Sequence, residues 1–415
     1  MNTIEELIQK ECPVGVEFKE LETIGEFISG LSGKSKDDFV NGNAKFITYM
    51  NVYSNPALNL EVEDKVKINE GEKQNLIEKG DILFTGSSET PDECGMSSVV
   101  LDEVTEPTYL NSFCFGFRLF DKSNFDFGYL KHLFRGKTLR ALIAKTANGV
   151  TRYNVSKKLF AKIEIPVPPL SVQHKIVEIL DKFTSLEAEL EAELEARKKQ
   201  YEYYRNQLLD FTGREDVEWK TLGECGEFIR GGGLQKKDFT ETGFPCIHYG
   251  QIHTRYNTHT SHTVAFTSEE YASKLKKAQY GDLLIATTSE DVDACCKAVT
   301  WLGNSEVAVS GDMYIYRHTQ NPRFMSYLFK TKQFADYKKT AATGTKVVRV
   351  SGDSMANFKF AFPSLAEQEK IASILDKFEA LINGQTASLA AEIKARHQQY
   401  EYYRDRLLTF SRKEN

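Results

Sequence analysis

The sequence has no run of about 20 apolar residues, so it predicts no membrane-spanning helix. The opening segment MNTIEELIQKE also lacks the basic and apolar regions of a secretory signal peptide. Only seven cysteines occur among 415 residues, their number is odd and none forms a CxxC motif. We therefore expect no disulfide framework, but a cytoplasmic globular protein with reduced thiols.

Motifs of nucleotide-using and catalytic proteins are missing as well. Gly33-Lys34-Ser35 resembles the end of a phosphate-binding loop, but Ile28 stands where the earlier glycine is needed, so we predict a turn. No strand-linked GxGxxG occurs, and neither Pro168-Pro169-Leu170 nor Asn55-Pro56 matches an amino-methyltransferase tetrapeptide. Pro91-Asp92 lacks the acidic and lysine residues that would complete a nuclease centre.

One group of residues has the chemistry of metal ligands: Cys246, His248, His253, His259 and His262. Zinc needs four convergent ligands at a fixed geometry, and this spacing is irregular. We therefore predict no metal site, and we interpret His248 and its polar neighbours as exposed residues that read a ligand.

Charge is distributed unevenly along the chain. The net charge of −6 argues against a nucleic-acid partner only if it is spread uniformly. Residues 127–163 contain nine Lys or Arg and no Asp or Glu, and residues 323–359 contain eight against two acids. Two basic segments on an acidic chain suggest two localised contacts with an anion, although one such segment alone is commonly a solvated helix face.

The chain is an internal repeat. Gly80-Asp81-Ile82-Leu83 matches Gly281-Asp282-Leu283-Leu284, 201 positions later. Ile179–Phe183 recurs as Ile374–Phe378, 195 positions later. Because ordered matches extend over nearly 200 residues, they indicate two duplicated domains rather than a solenoid.

The N-terminal segment belongs to the same cycle. Leu7-Ile8 and Val16–Lys19 mirror Leu208-Leu209 and Val217–Lys220, where the first repeat passes into the second. We therefore expect residues 1–17 to dock near the end of the C-terminal helix.

Apolar residues at heptad spacing predict a long helix after each globular domain. Each predicted helix follows prolines, and the second shows a four-residue stutter near Leu389. We predict an α+β (mixed α/β) fold, in which two globular domains are separated by an antiparallel pair of long coiled-coil helices with pseudo-two-fold symmetry. The predicted boundaries are 18–170 and 213–365 for the domains, and 171–212 and 366–415 for the helices. The seam of the first helix consists of Ile176, Leu180, Phe183, Leu190, Leu194, Arg197, Tyr201, Tyr204, Leu208 and Phe211.

The helices and their flanks resemble the specificity subunits of type I restriction–modification systems. The residues that carry the resemblance are Cys12–Phe18, Pro166–Leu170 running into Gln173 and Ile176–Phe183, Pro363–Ile371, Arg197–Arg205 and Arg396–Arg404. The resemblance covers essentially the whole chain, and its strongest motifs lie in the helices.

The resemblance implies a non-enzymatic subunit with two target-recognition domains, each reading one half of a bipartite double-stranded DNA site. Its helices would set the spacer and bind two copies of a modification subunit, which methylates adenine with S-adenosylmethionine. Two ATP-dependent restriction subunits are further expected partners, and this chain itself would hold no cofactor or metal. The alternatives are a stand-alone DNA methyltransferase or nuclease, and a coiled-coil adaptor.

Candidate DNA contacts are basic residues for phosphates and polar residues for base edges, because Arg can fork onto guanine and Gln or Asn onto adenine. Tyr49 and Tyr249 have the alternative interpretation of core aromatics, since matched aromatics in a repeat often pack. The candidates are Lys34, Lys36, Tyr49, Asn51, Arg135, Lys137, Arg140, Lys145, Thr151 and Arg152 in the first copy, and Arg230, Lys236, His248, Tyr249, Gln251, Arg255, Tyr256, Lys338, Lys339, Lys346 and Arg349 in the second.

Overall fold

The computed structural model describes residues 2–413. Met1, Glu414 and Asn415, which belong to the predicted terminal segments, lie outside the described residues. The chain divides into two units: unit 1 runs to Glu191 and resumes at Ala390, and unit 2 comprises Ala192–Leu389. Each unit combines a mixed helix-and-sheet domain with part of both long helices, so the predicted fold class is confirmed.

The strands of unit 1 are short, and its longest complete helix has ten residues. Its strands are β1 (Glu17–Glu20), β2 (Gly25–Ser29), β3 (Ala44–Ile47), β4 (Lys65–Val66), β5 (Ile82–Thr85), β6 (Ser87–Ser88), β7 (Ser97–Val99), β8 (Thr108–Leu110), β9 (Cys114–Leu119), β10 (Ala147–Gly149), β11 (Tyr153–Val155) and β12 (Glu164–Val167). Its helices are α1 (Asn2–Glu11), α2 (Leu21–Ile24), α3 (Tyr49–Ser54), α4 (Phe127–Leu133), α5 (Lys137–Ala144), α6 (Lys157–Phe160) and the start of α7 (Leu170–Leu208).

The main sheet of unit 1 is antiparallel, with strand order β2-β9-β5-β7. A second sheet has the order β4-β3-β8, and β1 pairs with β12 where the domain begins and ends. Phe84, Phe117 and Phe160 are fully buried against the main sheet. The same core contains Ile176 and Leu180 of α7, so the domain and this helix segment share one apolar interior.

Unit 2 repeats this plan with added strands. Its strands are β13 (Glu218–Thr221), β14 (Gly226–Arg230), β15 (Phe244–Ile247), β16 (His259–Thr260), β17 (Ala265–Thr267), β18 (Lys277–Ala278), β19 (Leu283–Ala286), β20 (Thr288–Ser289), β21 (Lys297–Trp301), β22 (Val307–Val309), β23 (Met313–His318), β24 (Val348–Arg349) and β25 (Lys359–Phe362). Its helices are α8 (Leu222–Cys225), α9 (Tyr249–Thr254), α10 (Glu269–Ser273), α11 (Pro322–Leu328), α12 (Lys332–Ala341), α13 (Gly352–Ala356) and the start of α14 (Leu365–Leu407).

The sheets of the two units correspond strand by strand. The order β14-β23-β19-β21 in unit 2 repeats β2-β9-β5-β7, and β16 is added beside β21. The parallel pair β15–β22 repeats β3–β8, and the pair β13–β25 repeats β1–β12. The duplication predicted from the sequence is therefore present in the fold.

The repeated Gly-Asp motif has a structural role in both units. Asp81 is fully buried and accepts two hydrogen bonds from Arg118, at 2.8 and 2.7 Å. Asp282 does the same with Arg317, at 3.1 and 2.7 Å. Each pair joins the start of β5 or β19 to the neighbouring strand of the main sheet. The motif thus marks a buried ion pair of the scaffold.

Replacing Asp81 with Asn is expected to lower the free energy of unfolding of unit 1 by about 3 kcal/mol, because the partly buried Arg118 guanidinium loses its buried counter-charge and keeps only the exposed Glu78. Chemical denaturation followed by circular dichroism measures the change. Glu78→Gln is the matched control, because Glu78 also contacts Arg118, at 3.0 Å, but is exposed. We expect a loss below about 1 kcal/mol for this variant. Equal losses in the two variants would contradict the scaffold role of Asp81.

The repeated Ile-Leu-Asp-Lys-Phe motif ties each long helix to its own domain. Asp181 of α7 lies 2.7 Å from Nε2 of His132 in α4, and this contact and that of Lys131 lower the pKa of Asp181 to about 2 against the effect of burial. In unit 2, Asp376 accepts a hydrogen bond of 2.7 Å from the hydroxyl of Tyr327, which stands at the matched position of α11. The helices are therefore attached by polar contacts as well as apolar ones.

A buried glutamine near the start of each long helix forms a second attachment. Gln173 accepts a hydrogen bond from the backbone N–H of Asp126, at 2.9 Å, and donates to the carbonyl of Pro168. Gln368 accepts from Asn321, at 2.9 Å, and donates to Pro363. Both glutamines belong to the stretches that carry the resemblance to specificity subunits, and their hydrogen bonds within each unit give these residues a structural role.

Within each unit the segments of α7 and α14 run antiparallel. In unit 1, Phe183 stacks on Tyr403 with ring centroids 5.3 Å apart, and Glu187 lies 2.9 Å from His397. In unit 2, Tyr204 packs near Phe378 with centroids 6.1 Å apart. The predicted apolar seam is incomplete, because Tyr204 is 42% exposed and the polar Glu187 pair lies between the helices.

The ends of the helices differ from the predicted ones. Both helices begin one residue earlier than expected, at Leu170, directly after Pro169, and at Leu365, two residues after Pro363. α7 ends at Leu208, not at 212, because Leu209 and Phe211 turn into the core of unit 2. α14 ends at Leu407, since the following residues leave the helix to reach the N-terminal segment.

The N-terminal segment lies beside the C-terminal one in unit 1. Val16 donates its backbone N–H to the carbonyl of Ser411, at 2.9 Å, and accepts from Lys413, at 3.0 Å. Leu7 and Ile8 of α1 pack on the core that contains Leu407.

In the part of the chain described, no helix combines the length and apolar composition needed to cross a bilayer.

Candidate nucleic-acid interface

Three segments far apart in the sequence meet on one face of unit 1. The Thr48 hydroxyl accepts from the backbone N–H of Asn51, at 3.3 Å, so α3 begins at Tyr49. β6 pairs with β11, which returns from β10 through a tight loop. Gly149 in this loop has φ 153°, and a Cβ there would lie 2.0 Å from the carbonyl oxygen of Arg152, so only glycine fits.

These segments enclose a cleft of about 540 Å³, which we call the first candidate surface. Its residues are Tyr49, Met50, Tyr53, Ser87, Ser88, Glu89, Glu93, Phe113, Thr151 and Arg152. Four of the predicted contacts or repeat motifs therefore come together here: Tyr49, Ser88-Glu89, Thr151 and Arg152.

The cleft combines cationic, aromatic and acidic groups. The Arg152 guanidinium donates to the Ser87 hydroxyl, at 2.9 Å, and lies 5.2 Å from the centre of the Phe113 ring. The Tyr49 hydroxyl donates to the carbonyl of Ser87, at 2.8 Å. Hydrogen bonds from Ser88, Thr90 and Tyr53 lower the pKa of Glu93. Its carboxylate therefore remains a hydrogen-bond acceptor at one wall of the cleft. Such a surface offers stacking, hydrogen-bond donors and acceptors to base edges.

Tyr49 packs on a core cluster and also lines the cleft. The ring packs beside the core that contains Ile47 and Val52, while part of the residue faces the cleft. Tyr249 in unit 2 likewise packs partly on a core cluster. Both matched tyrosines therefore serve packing, and Tyr49 also lines the cleft.

Unit 2 carries a corresponding feature, the second candidate surface, formed by the start of α9, β20 and the loop leading to β24. Ile252 of α9 packs in one core with Leu284 of β19, and β20 follows β19 after one residue. β20 pairs with β24, where Thr288 lies opposite Arg349. Lys346 and Arg349 are exposed at this ribbon. Both copies thus place a basic loop beside the same strand.

Several basic residues predicted to contact DNA donate hydrogen bonds within the protein, and their contact with DNA stays a prediction. Arg135 donates to the carbonyls of Ser97 and Tyr53, and Arg140 donates to that of Cys94. Burial lowers the pKa of both arginines to about 10.

Two lysines are also engaged internally. Lys338 donates to the carbonyl of Cys295, at 3.0 Å, and Lys34 pairs with Glu72, at 2.6 Å. Arg135, Arg140, Lys34 and Lys338 thus hold acceptors of the protein itself and do not line the first candidate surface.

Most of the polar residues that were predicted to be exposed and to contact DNA bases form hydrogen bonds with neighbouring residues of their own unit. His248 is buried, and its Nδ1 accepts from the backbone N–H of Gly250, at 3.2 Å, at the start of α9. Gln251 closes the same cap by accepting from the His248 N–H, at 2.9 Å. The Tyr256 hydroxyl accepts from Val264, at 3.1 Å, and Asn51 bonds to Asn59. The expected exposure is wrong for His248 and Tyr256, which are buried, and is confirmed for Arg255. Contact of these residues with DNA stays a prediction.

The remaining predicted residues are exposed but do not line the cleft: Lys36, Lys137, Lys145, Arg230, Lys236 and Lys339. Phe113 and Glu93 were missed by the sequence prediction, although they lie in the cleft. The repeated Ser-Glu of Ser88-Glu89 and Ser289-Glu290 was the available signal for this strand. Over residues 2–413, no three His, Cys, Asp or Glu side chains are placed to hold a metal ion.

Comparison with known proteins identifies the repeat. The sequence model of the type I restriction modification DNA specificity domain matches the chain twice, at residues 13–196 and 214–395. The chain belongs to this family. Each match contains one globular domain and a large part of its long helix, so the family unit is the repeat unit found in the sequence.

Two relatives in the family are specificity subunits by name. The EcoR124I/EcoR124II specificity subunit of Escherichia coli is 36% identical over 278 residues, which cover 63% of this chain and 65% of that subunit. A putative type I restriction enzyme specificity subunit of Haemophilus influenzae is 32% identical over 272 residues, covering 63% and 68%. The alignment thus spans just under two thirds of the E. coli protein.

A solved structure shares the fold. It comes from a study of complex assembly and conformational transition of the type I R-M system, and it has a TM-score of 0.61 at 13% identity. The superposition covers 95% of this chain and 97% of that one. At this identity the likeness concerns the fold alone.

Proposed function

We propose that this chain is a DNA-binding specificity subunit that reads a bipartite DNA sequence, one half with each unit. The observation that carries the proposal is the recurrence of one surface plan in both units: a tyrosine-led helix, a short Ser-containing strand and a glycine loop with basic residues. A duplicated reader suits a target with two halves. Membership in the specificity-domain family supports the same function.

In this proposal the exposed basic side chains have two roles. Arg152 stands among aromatic and hydroxyl groups in the cleft, so it is suited to base edges. Lys346 and Arg349 lie on an exposed ribbon and are suited to phosphates, which position the protein without specifying sequence. The acidic surplus of the chain lies elsewhere, partly on the helices.

We further propose that the chain acts in the cytoplasm and that partner subunits carry out catalysis. Two similar units can recruit two identical modification subunits, which would methylate adenine with S-adenosylmethionine, and restriction subunits with ATP would join them. The chain itself would hold no cofactor. The long helices, which run from one unit into the other, would set the spacer and bind the partners.

The test removes the proposed contacts one surface at a time. We expect Arg152→Ala to lower affinity for the cognate DNA of the assembled complex by about tenfold or more, since a good base contact contributes about 1–3 kcal/mol. The double variant Lys346→Ala/Arg349→Ala should weaken binding to all sequences and reduce the slope of log affinity against log salt by about two. Fluorescence anisotropy over a salt series measures both.

The control for charge is Lys182→Ala, which removes an exposed lysine from α7, where it pairs with Glu178 at 2.9 Å. We expect its DNA affinity to stay within about twofold of the unaltered chain. If Arg152→Ala and the double variant bound DNA as well as Lys182→Ala does, the two surfaces would not be the DNA interface.

A further inference from the structure

Unit 2 contains two consecutive cysteines between β20 and β21. Their sulfur atoms lie 3.9 Å apart, and both side chains are nearly inaccessible, at 1% and 2% exposure. They nevertheless line a cavity of about 690 Å³ together with Lys297, Lys330 and Lys338. Cys295 and Cys296 therefore lie close to each other and to lysine side chains, beside a cavity that a small molecule can enter.

The backbone of this pair is strained in a way the first repeat avoids. The matched positions in unit 1 are Cys94 and Gly95, 201 residues earlier. Gly95 and Cys296 share the same left-handed backbone conformation, with φ 62°. Glycine adopts it freely, but a residue with a Cβ is disfavoured there. The second copy thus keeps a cysteine at a position where the first copy uses glycine.

Packing shows how the second copy makes room for the extra thiol. In unit 1 a Cβ on Gly95 would lie 2.6 Å from Cγ2 of Ile143, which excludes a side chain. The position 195 residues after Ile143 is Lys338, a flexible side chain. Its ammonium group donates to the carbonyls of Asp293 and Cys295, at 2.5 and 3.0 Å. The lysine therefore leaves space for Cys296 and holds a positive charge beside the pair.

The two thiols differ in acidity. Contact with the Cys296 thiol, its backbone N–H and the Lys338 charge lower the pKa of Cys295, against the effect of burial. Contact with Cys295 and burial raise the pKa of Cys296. In unit 1, burial raises the pKa of the lone Cys94. The pair therefore has one thiol suited to attack as a thiolate and one that stays protonated.

We propose that Cys295 and Cys296 form a vicinal dithiol that a hydroperoxide oxidises to a disulfide. The Cys295 thiolate attacks the peroxide, the O–O bond breaks and a sulfenic acid forms, while the leaving oxygen takes up a proton. The Cys296 sulfur then attacks Cys295, the S–O bond breaks and the Cys296 proton leaves with the oxygen as water. Two electrons pass from the two sulfurs to the peroxide, so with hydrogen peroxide the products are the disulfide and two waters.

Oxidation would act on the second candidate surface. While it is protonated, the Cys295 thiol donates to the carbonyl of Thr287, at 3.2 Å, and Thr287 also accepts from the backbone N–H of Val350, at 3.3 Å. These residues flank β20 and β24. Disulfide closure removes the thiol donor and draws the sulfurs together, which loosens the ribbon that carries Arg349. Its effect on DNA rests on the proposed function.

The chemistry is tested on the full chain with hydrogen peroxide, followed by peptide mapping by mass spectrometry under non-reducing conditions. We expect the peptide containing Cys295 and Cys296 to lose two hydrogens and to regain them with a thiol reductant. Cys296→Gly, which reproduces the first repeat, should show no such loss, and Cys94→Ser, the matched control, should behave as the unaltered chain. No loss in the unaltered chain, or a disulfide that joins other cysteines, would overturn the proposal.

The consequence is measured separately by amide hydrogen exchange and DNA binding. Oxidation should speed exchange at residues 343–350 in the unaltered chain but not in Cys296→Gly, with residues 147–155 of unit 1 as the internal control. We expect the DNA affinity of the complex to fall several-fold and its salt dependence to weaken, because the proposed phosphate contact of Arg349 is displaced. If the disulfide forms and exchange is unchanged, the proposed loosening is wrong. If oxidation speeds amide exchange but the reduced complex binds no DNA, the proposed DNA-binding function is wrong and the proposed oxidation of Cys295 and Cys296 is retained.

Discussion

Exchanging residues 219–363 for the corresponding domain of a related specificity subunit is expected to change one half of the recognised DNA sequence and to leave the other half unchanged. The domain begins and ends on neighbouring strands, since Trp219 of β13 pairs with Ala361 of β25. An exchange between these strands therefore keeps both connections to the helices. Specific sites are typically bound about 10³–10⁷-fold more tightly than other DNA, so the loss at the old site should be large.

The exchange is read from the methylated sequence motif in cells that express the assembled complex. The reciprocal exchange of residues 18–167 is the matched control, because β1 and β12 close unit 1 in the same manner. It should change the opposite half of the motif. A single exchange that altered both halves would contradict the proposal that each unit reads independently.

Lengthening both long helices by one heptad is expected to lengthen the unread spacer by about three base pairs without changing either half. Seven residues add about 10 Å at 1.5 Å per residue, and DNA rises about 3.4 Å per base pair. The two insertions belong near Glu191 of α7 and Leu389 of α14, where the helices pass between units and side chains are exposed or partly exposed. Seven residues complete nearly two turns, so the packing faces keep their register.

The control is an insertion of four residues in each helix. It adds about 6 Å and turns the following segment by about 40° relative to the preceding one. Because α14 already accommodates a four-residue stutter near Leu389, we expect this variant to keep methylation and to lengthen the spacer by less than the heptad insertion does, by about two base pairs. Methylome sequencing measures both variants. An unchanged spacer after the heptad insertion, with methylation retained, would show that the helices do not set the distance.

Several scaffold features were open to prediction because they depend on local pattern. Gly80-Asp81 and Gly281-Asp282 appeared as a repeat, and both prove to be buried ion-pair sites before the same strand. The long helices followed from heptad spacing and preceding prolines. Their ends were displaced, since the turn of Phe211 into the core depends on residues of a distant part of the chain.

The candidate surfaces were only partly predictable. Arg152 and Arg140 look alike in the sequence, as basic residues of one segment. Arg152 reaches the cleft, whereas Arg140 finds three backbone carbonyls, among them that of Cys94, more than 40 residues away. Charge composition shows that cations are present, but only the fold shows which acceptors they meet.

The sequence by itself determined the duplication, the mixed fold class, the two long helices and the family, because each is recorded in spacing that needs no distant partner. Tertiary structure alone decided which basic side chains face outward, how Tyr49, Ser88 and Arg152 form one cleft, and how Cys295 and Cys296 sit at a strained turn. These features depend on contacts between residues far apart in the chain. Comparison of the two copies in three dimensions shows, for example, that Gly95 and Cys296 share one left-handed backbone conformation, which the sequence alone does not show.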